Sequence, residues 1–371
     1  MKSNWKEERL GSLVRFSSGG TPNKNNPSYW NGTIPWISAK NMKSEVIETS
    51  DLSITEEGLI HGSKIAPKGS LLLLVRGSGL FNGIPVCYLE NAVAYNQDVK
   101  CIESTSELEN KYLFYWLKAN SGYLRKKIEF TSIGAGKFDT RFLSNLVVRF
   151  PDKVTRKKII DITDNISDRI NINRKINENL AQQAQVIYAD IFITNADPAW
   201  PLGHLSDLIT VRYGKDHKKL DDGPFPVYGS GGVMRYVERP IYEKESVLIP
   251  RKGTLNNVMY VNEPFWSVDT MFFTEMKLPD VAKFVFHFVK SKDLASLNAG
   301  SAVPSMTTDI LNAMELCIPD PETLKCFESI VGPMYRTMQH NTEESKKLAT
   351  VRDTLLPRLM SGELDVSKLD L

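Results

Sequence analysis

Several short stretches carry residue types that could do chemistry, and each falls short of a complete site. Residues 26–29 read NPSY, one residue from the N-P-P-Y in which an asparagine and a proline carbonyl accept the amine hydrogens of a target base; residues 197–200, DPAW, are a second partial match. Neither has the second proline, and no F-x-G-x-G cofactor loop precedes either. Residues 75–83, VRGSGLFNG, follow an apolar run but space their glycines one residue too widely for a dinucleotide fingerprint. Residues 134–138, GAGKF, lack the upstream glycine and the hydroxyl residue that a phosphate loop needs. The histidines (His61, His204, His217, His287, His340) form no H-E-x-x-H or close pair, and Cys87, Cys101, Cys317 and Cys326 form no C-x-x-C. The sequence therefore predicts no metal site, no histidine relay and no disulfide scaffold. Asp152 and Asp320, each after a proline, invite a nuclease reading with Glu322 and Lys325, but both stand where a helix should begin, and a carboxylate there caps free amides. No active site is expected in this chain.

Another set of residues suits recognition of nucleic acid. Two apolar runs end in a basic-glycine-hydroxyl corner, one offering Arg76, Ser78 and Asn82, the other Arg251, Lys252, Thr254, Asn256 and Asn257. Upstream segments add Lys24, Lys40, Asn41 and Lys43 to the first set, and Arg212, Lys215, Lys218, Lys219, Tyr228 and Arg235 to the second. Arginine and lysine pair with guanine or phosphate and asparagine with adenine, while Gly77, Gly79 and Gly253 let backbone approach closely. Which of them read bases and which hold phosphates stays open. The net charge of +2 neither demands nor excludes such a ligand, because a local basic face decides.

These corners need elements to hold them. From residue 153 to 192 there is no proline or glycine, and Ile159, Ile162, Ile166, Ile170, Asn173, Ile176, Leu180 and Ile187 mark a narrow stripe at helical spacing. About 40 residues at 1.5 Å each predict a rod on the order of 60 Å, which needs a partner stripe. Shifted by 168 residues without a gap, residues 319–360 repeat the pattern, with Met334, Met338, Asn341, Leu348, Leu355 and Leu359 on the seam. An asparagine falls near the middle of each copy, where a polar residue costs stability but fixes register. Gly332-Pro333 is expected to break the second copy, so that its continuous rod starts near Met334.

The segments between also repeat: WKEERLGSLVRF with WPLGHLSDLITV, IPWIS with FPVYG, and KYLFYWLK with KFVFHFVK. With LGSLVRFSSGGTPNKNNPSYWNGTIPWISAKNM, LLLLVRGSG and the two spaced helices, the whole chain resembles the specificity subunit of type I restriction-modification enzymes. The resemblance implies an α+β fold: two similar target-recognition domains joined by two long antiparallel helices, a coiled-coil spacer, in a pseudo-twofold internal repeat. The expected divisions are 1–150 and 196–318 for the recognition domains, 151–195 for the central helix and 319–371 for the C-terminal helical region. It further implies a subunit without catalytic activity, each domain reading half of a split, asymmetric duplex DNA target. Two methyltransferase subunits and motor-nuclease subunits would be its partners. S-adenosylmethionine, ATP and magnesium would sit on those partners, and none on this chain. The alternatives are a self-sufficient methyltransferase or nuclease and a scaffold that binds protein. No stretch approaches the roughly 18 apolar residues of a membrane span, and the first residues lack a signal-peptide core, so a cytoplasmic location is expected.

Overall fold

The computed structural model describes residues 5–81, 83–130, 136–297 and 305–369. It divides into two compact units, Met1–Ile172 with Glu344–Leu371, and Asn173–Glu343.

The first unit is built on a five-stranded sheet in the order Val14–Ser18, Val99–Ser104, Leu71–Leu74, Val86–Leu89, Val46–Ile47. All its pairings are antiparallel except the last. Leu71–Leu74 lies inside this sheet with every residue buried, which explains an apolar run without alternation. A four-stranded sheet (Ser53–Ile54, Trp30–Ile37, Val93–Tyr95, Ile65–Ala66) contains a parallel pair between Trp30–Ile37 and Val93–Tyr95. Lys6–Arg9 pairs with Val147–Phe150, and the helix Asn110–Ala119 buries Tyr112 through Leu117.

The second unit repeats this plan with fewer strands. Its sheet runs Ile209–Tyr213, Met271–Met276, Ser246–Pro250, Met259–Val261, and a smaller sheet runs Gly232–Val237, Phe225–Gly229, Trp266–Ser267 with the same parallel pairing. Leu202–His204 pairs with Glu315–Cys317, and the helix Ala282–Lys290 takes the place of Asn110–Ala119. The α+β class and the internal repeat both follow from this order of strands and helices.

The two long helices, Lys153–Ala189 and Pro321–Ser361, start alike. Thr155 donates from N and Oγ1 to Asp152, at 3.0 and 2.8 Å, and Thr323 donates likewise to Asp320, at 2.9 and 2.7 Å. These bonds, the Thr323 hydroxyl first, hold the Asp320 carboxyl down to about 2. Both aspartates are therefore helix caps rather than nuclease ligands.

The Gly332-Pro333 break does not occur: Pro321–Ser361 is one helix, with a second proline, Pro357, also inside it. Both prolines are exposed, so each ring and the carbonyl it displaces lie on the solvent side. Around the first of them, Leu324, Phe327 and Val331 are buried in the core of the second unit, and that packing outweighs the roughly 3 kcal/mol of an interior proline.

Within each unit the helices pair antiparallel. In the first, Ile159 shares a core with Leu356, Leu359 and Met360, and Arg169 pairs with Glu344 at 3.2 Å. In the second, Asn177 Nδ2 donates to Met338 O at 3.0 Å, Asn341 Nδ2 donates to Asn177 Oδ1 at 2.9 Å, and Tyr188 lies against Phe327. Asn173 and Asn341 are both buried, as seam positions should be. Ile162, Ile166, Ile170, Leu180, Ile187, Met334, Met338, Leu348 and Leu355 are partly buried. Ile176 is a correction, being 40% exposed: the buried line passes through Asn173 and Asn177 toward Ala184 and leaves Ile176 on the outer side. The two compact units cut both helices between them, because each half-helix buries its stripe in the core of its own unit. Among the described residues no helix is long and apolar enough to cross a membrane.

Candidate nucleic-acid interface

The two corners sit in one repeated backbone frame. In the first unit, the amides of Val75 and Arg76 donate to Asp98 O at 2.9 and 3.2 Å. In the second, those of Arg251 and Lys252 donate to Thr270 O at the same two distances. Three further bonds match: Phe138 N to Val75 O with Met306 N to Arg251 O, Asn96 N to Ile37 O with Val268 N to Tyr228 O, and Gly20 N to Tyr95 O with Lys215 N to Ser267 O. Arg76 thus corresponds to Lys252 and Gly77 to Gly253. Both glycines have positive φ, 132° and 86°, a backbone that side-chained residues avoid. Each frame therefore gathers segments distant in sequence around one exposed, basic turn.

The side chains divide into exposed cations and residues already engaged. Lys24, Lys40, Lys43, Arg76 and Ser78 are exposed in the first unit, and Lys215, Lys218, Lys219, Lys252 and Thr254 in the second. Arg251 lies 5.4 Å from the Tyr213 ring centroid, a cation over an exposed aromatic beside the Lys215 segment. Asn82 lies outside the described residues.

The others make bonds within their unit. Asn41 Oδ1 accepts from Ser38 Oγ at 2.9 Å and closes a turn. Arg212 pairs across the sheet with Glu275 at 3.0 Å, an exposed pair worth little to stability but occupying the guanidinium. Tyr228 donates to Glu263 at 2.9 Å, and burial with that carboxylate pushes its hydroxyl pKa up. Arg235 fastens its strand to Leu220 O and Asp222, at 3.0 and 2.7 Å. Asn256 bonds Asp293 and the Ala295 amide, and Asn257 donates to Ser230 O. Asn257 braces the corner against the turn that follows Gly229, and Asn256 braces it against the segment after the helix Ala282–Lys290. Polar residues near a turn read alike in sequence whether they face solvent or hold the turn.

The sequence reading missed Lys137. Its strand, Gly136–Lys137, pairs with Arg76–Gly77, so Lys137 stands directly opposite Arg76. The basic run Arg125-Lys126-Lys127 is also exposed, with Arg125 donating to Phe81 O at 2.6 Å. That run was a legible signal; the placement of Lys137 was not.

Elsewhere, buried and half-buried polar groups fasten each unit to its long helices. Arg156, 1% exposed, donates to Glu109 at 2.7 Å and to Pro151 O and Glu107 O. Lys111 pairs with Asp164 at 2.7 Å. In the second unit, Lys283 holds Glu245 and Glu328 at 2.7 and 2.9 Å. His287 bonds Gln185 through Nδ1 and Tyr335 through Nε2, at 2.9 and 3.0 Å, and burial lowers its pKa to about 4. A cleft of about 350 Å³ in the first unit is lined by Glu45, Glu48, Glu90, Asp164 and Asp168 with Lys68 and Lys111, an acidic setting unsuited to phosphate. Among the described residues no group of three or more His, Cys, Asp or Glu is placed to hold a metal ion.

Comparison with known proteins adds to this geometry. The sequence model of the type I restriction modification DNA specificity domain matches residues 2–182 and 199–348. The specificity subunit of the type I restriction enzyme EcoR124I/EcoR124II of Escherichia coli is 28% identical over 184 residues, 49% of this chain and 44% of that protein. That match spans less than half of the relative's length. The specificity subunit of the type I restriction enzyme MjaIX of Methanocaldococcus jannaschii is 22% identical over 418 aligned positions, covering 99% of this chain and 95% of that one. The crystal structure of a type I restriction-modification system S subunit from M. genitalium is similar in fold, with a TM-score of 0.57 at 18% identity and 96% of each chain covered.

Proposed function

The chain belongs to the type I restriction modification DNA specificity family, and from that premise we propose that it is the sequence-reading, non-catalytic subunit of a type I restriction-modification complex. Each unit reads one half of a split DNA target, and because the two units differ in their corner residues, the halves differ too. The paired helices set the distance between the halves and dock two methyltransferase subunits, which bring S-adenosylmethionine. Motor-nuclease subunits bring ATP and magnesium. The observation that carries this reading is the repeated frame, which holds an exposed basic corner at the equivalent place in both units. Two similar readers in one chain suit the two halves of a duplex, as two subunits of a dimeric DNA-binding protein do.

The test is reconstitution. The chain assembled with its methyltransferase subunits is expected to bind duplex DNA with strong salt dependence and to methylate one interrupted sequence. The chain alone is expected to transfer no labelled methyl group. Methyl incorporation by the isolated chain would favour a self-sufficient methyltransferase, and an assembled complex indifferent to DNA would favour a protein scaffold.

A further inference from the structure

We propose that Arg76 and Lys137 together form a clamp on the sugar-phosphate backbone of the duplex, a positioning contact that the first unit makes with two cations and the second with one. The proposal rests on the reading that the corners face DNA. Glu129–Phe130, Gly136–Lys137 and Arg76–Gly77 form a small three-stranded sheet, in which Lys137 is in register with Arg76 and Gly136 with Gly77. Residues directly opposite in an antiparallel pair share a face, with Cβ atoms about 5 Å apart.

Successive residues point to opposite faces, so the packing of Gly136 tells which face is which. A Cβ on Gly136 would fall 2.9 Å from Ile128 Cγ2 and 3.1 Å from Leu80 Cβ, so that side is the packed one. Arg76 and Lys137 therefore project from the outer side, and both are exposed. Like charges directly opposite destabilise a sheet. Here two cations are set side by side, with Glu129 in register beyond Lys137 on the same face, so the row keeps a net positive charge; among the described residues neither cation forms an ion pair with a carboxylate. A polyanion lying across the row turns that repulsion into attraction. The backbone, rather than the bases, is the ligand for which a flat, strand-borne cation pair is suited. It presents charges in series, and lysine, a point charge with three donors, has no planar fork to tell one base edge from another. In the second unit the same frame pairs Lys252 with Ser305, which leaves one cation where the first unit has two.

The experiment uses the chain assembled with its methyltransferase subunits and measures duplex binding over a series of salt concentrations. One labelled duplex carries the target determined from methylated host DNA, and a second has that sequence scrambled. Lys137→Ala is expected to lower the slope of log affinity against log salt by about 0.9, with an equal loss on both duplexes. Lys137→Arg should retain the wild-type slope. Lys153→Ala, an exposed lysine at the start of the central helix, should leave it unchanged. A normal slope with altered preference between the duplexes would make Lys137 a base reader and overturn the clamp. An unchanged slope and affinity would overturn it as well. Wild-type complex that binds neither duplex would overturn the DNA reading on which the clamp rests.

Discussion

His287 shows how much of this chain's chemistry serves assembly. It is buried and bridges Gln185 and Tyr335, one from each long helix, and its lowered pKa means that the neutral ring is the folded form. The unfolded chain, with an ordinary histidine pKa near 6.5, takes up the proton first as pH falls. The stability it contributes is complete above about pH 6.5 and declines toward pH 4, by up to about 3 kcal/mol. His287→Gln removes this titration. Denaturant unfolding of both proteins between pH 7 and 4 should show the wild type losing stability relative to the variant, and parallel curves would refute the assignment. Such roles are hard to foresee from local sequence. No local pattern pairs Arg156, Lys111 or Lys283 with a carboxylate, and the fold supplies partners roughly 40 to 50 positions away. Lys137 escaped notice for the same reason, since its neighbour Arg76 is brought to it by a strand pairing that no local pattern announces.

At the scale of elements, periodicity was the legible signal. A stripe at helical spacing located both long helices, and its repetition predicted their pairing. What the stripe could not convey is which residue at its margin faces inward. Ile176 turned out exposed while Asn177 bonds across the seam, because hydropathy alone favours the isoleucine. The expected break at Gly332-Pro333 weighed local propensity against nothing, since the burial of Phe327 and Val331 is a tertiary fact. It leaves a testable residue of cost. Pro333 is exposed and withholds one helical hydrogen bond, so Pro333→Ala should stabilise the second unit by about 1–3 kcal/mol. A lower denaturation midpoint in the variant would mean that the proline is part of a shape the helix needs.

On the scale of the whole molecule, the proposed spacer can be lengthened. Seven residues added to each long helix, after Ile172 and after Glu343, keep two full turns in phase and extend it by about 10 Å, or roughly three base pairs. The complex should then accept a target with a gap longer by about that amount and the same two halves, as read by sequencing methylated DNA. Changed halves with an unchanged gap would refute the spacer role. A second test concerns the division into units. Ending the chain at Glu343 removes Leu356, Leu359 and Met360 from the core that holds Ile159, while the second unit keeps all its residues. Hydrogen exchange should show protection lost in residues 5–172 and kept in 173–343.

That division carries a consequence for how the protein comes into being. Asn173–Glu343 is contiguous, whereas the first unit needs Glu344–Leu371 to close its core. On the ribosome, then, the half made first must wait with an open apolar flank until Glu344–Leu371 emerges, and the half made second is finished before it. Domains made in series usually mature in the order of synthesis; here the order is reversed, and a nascent chain stalled before Leu356 would hold one mature reader and one still in need of shelter.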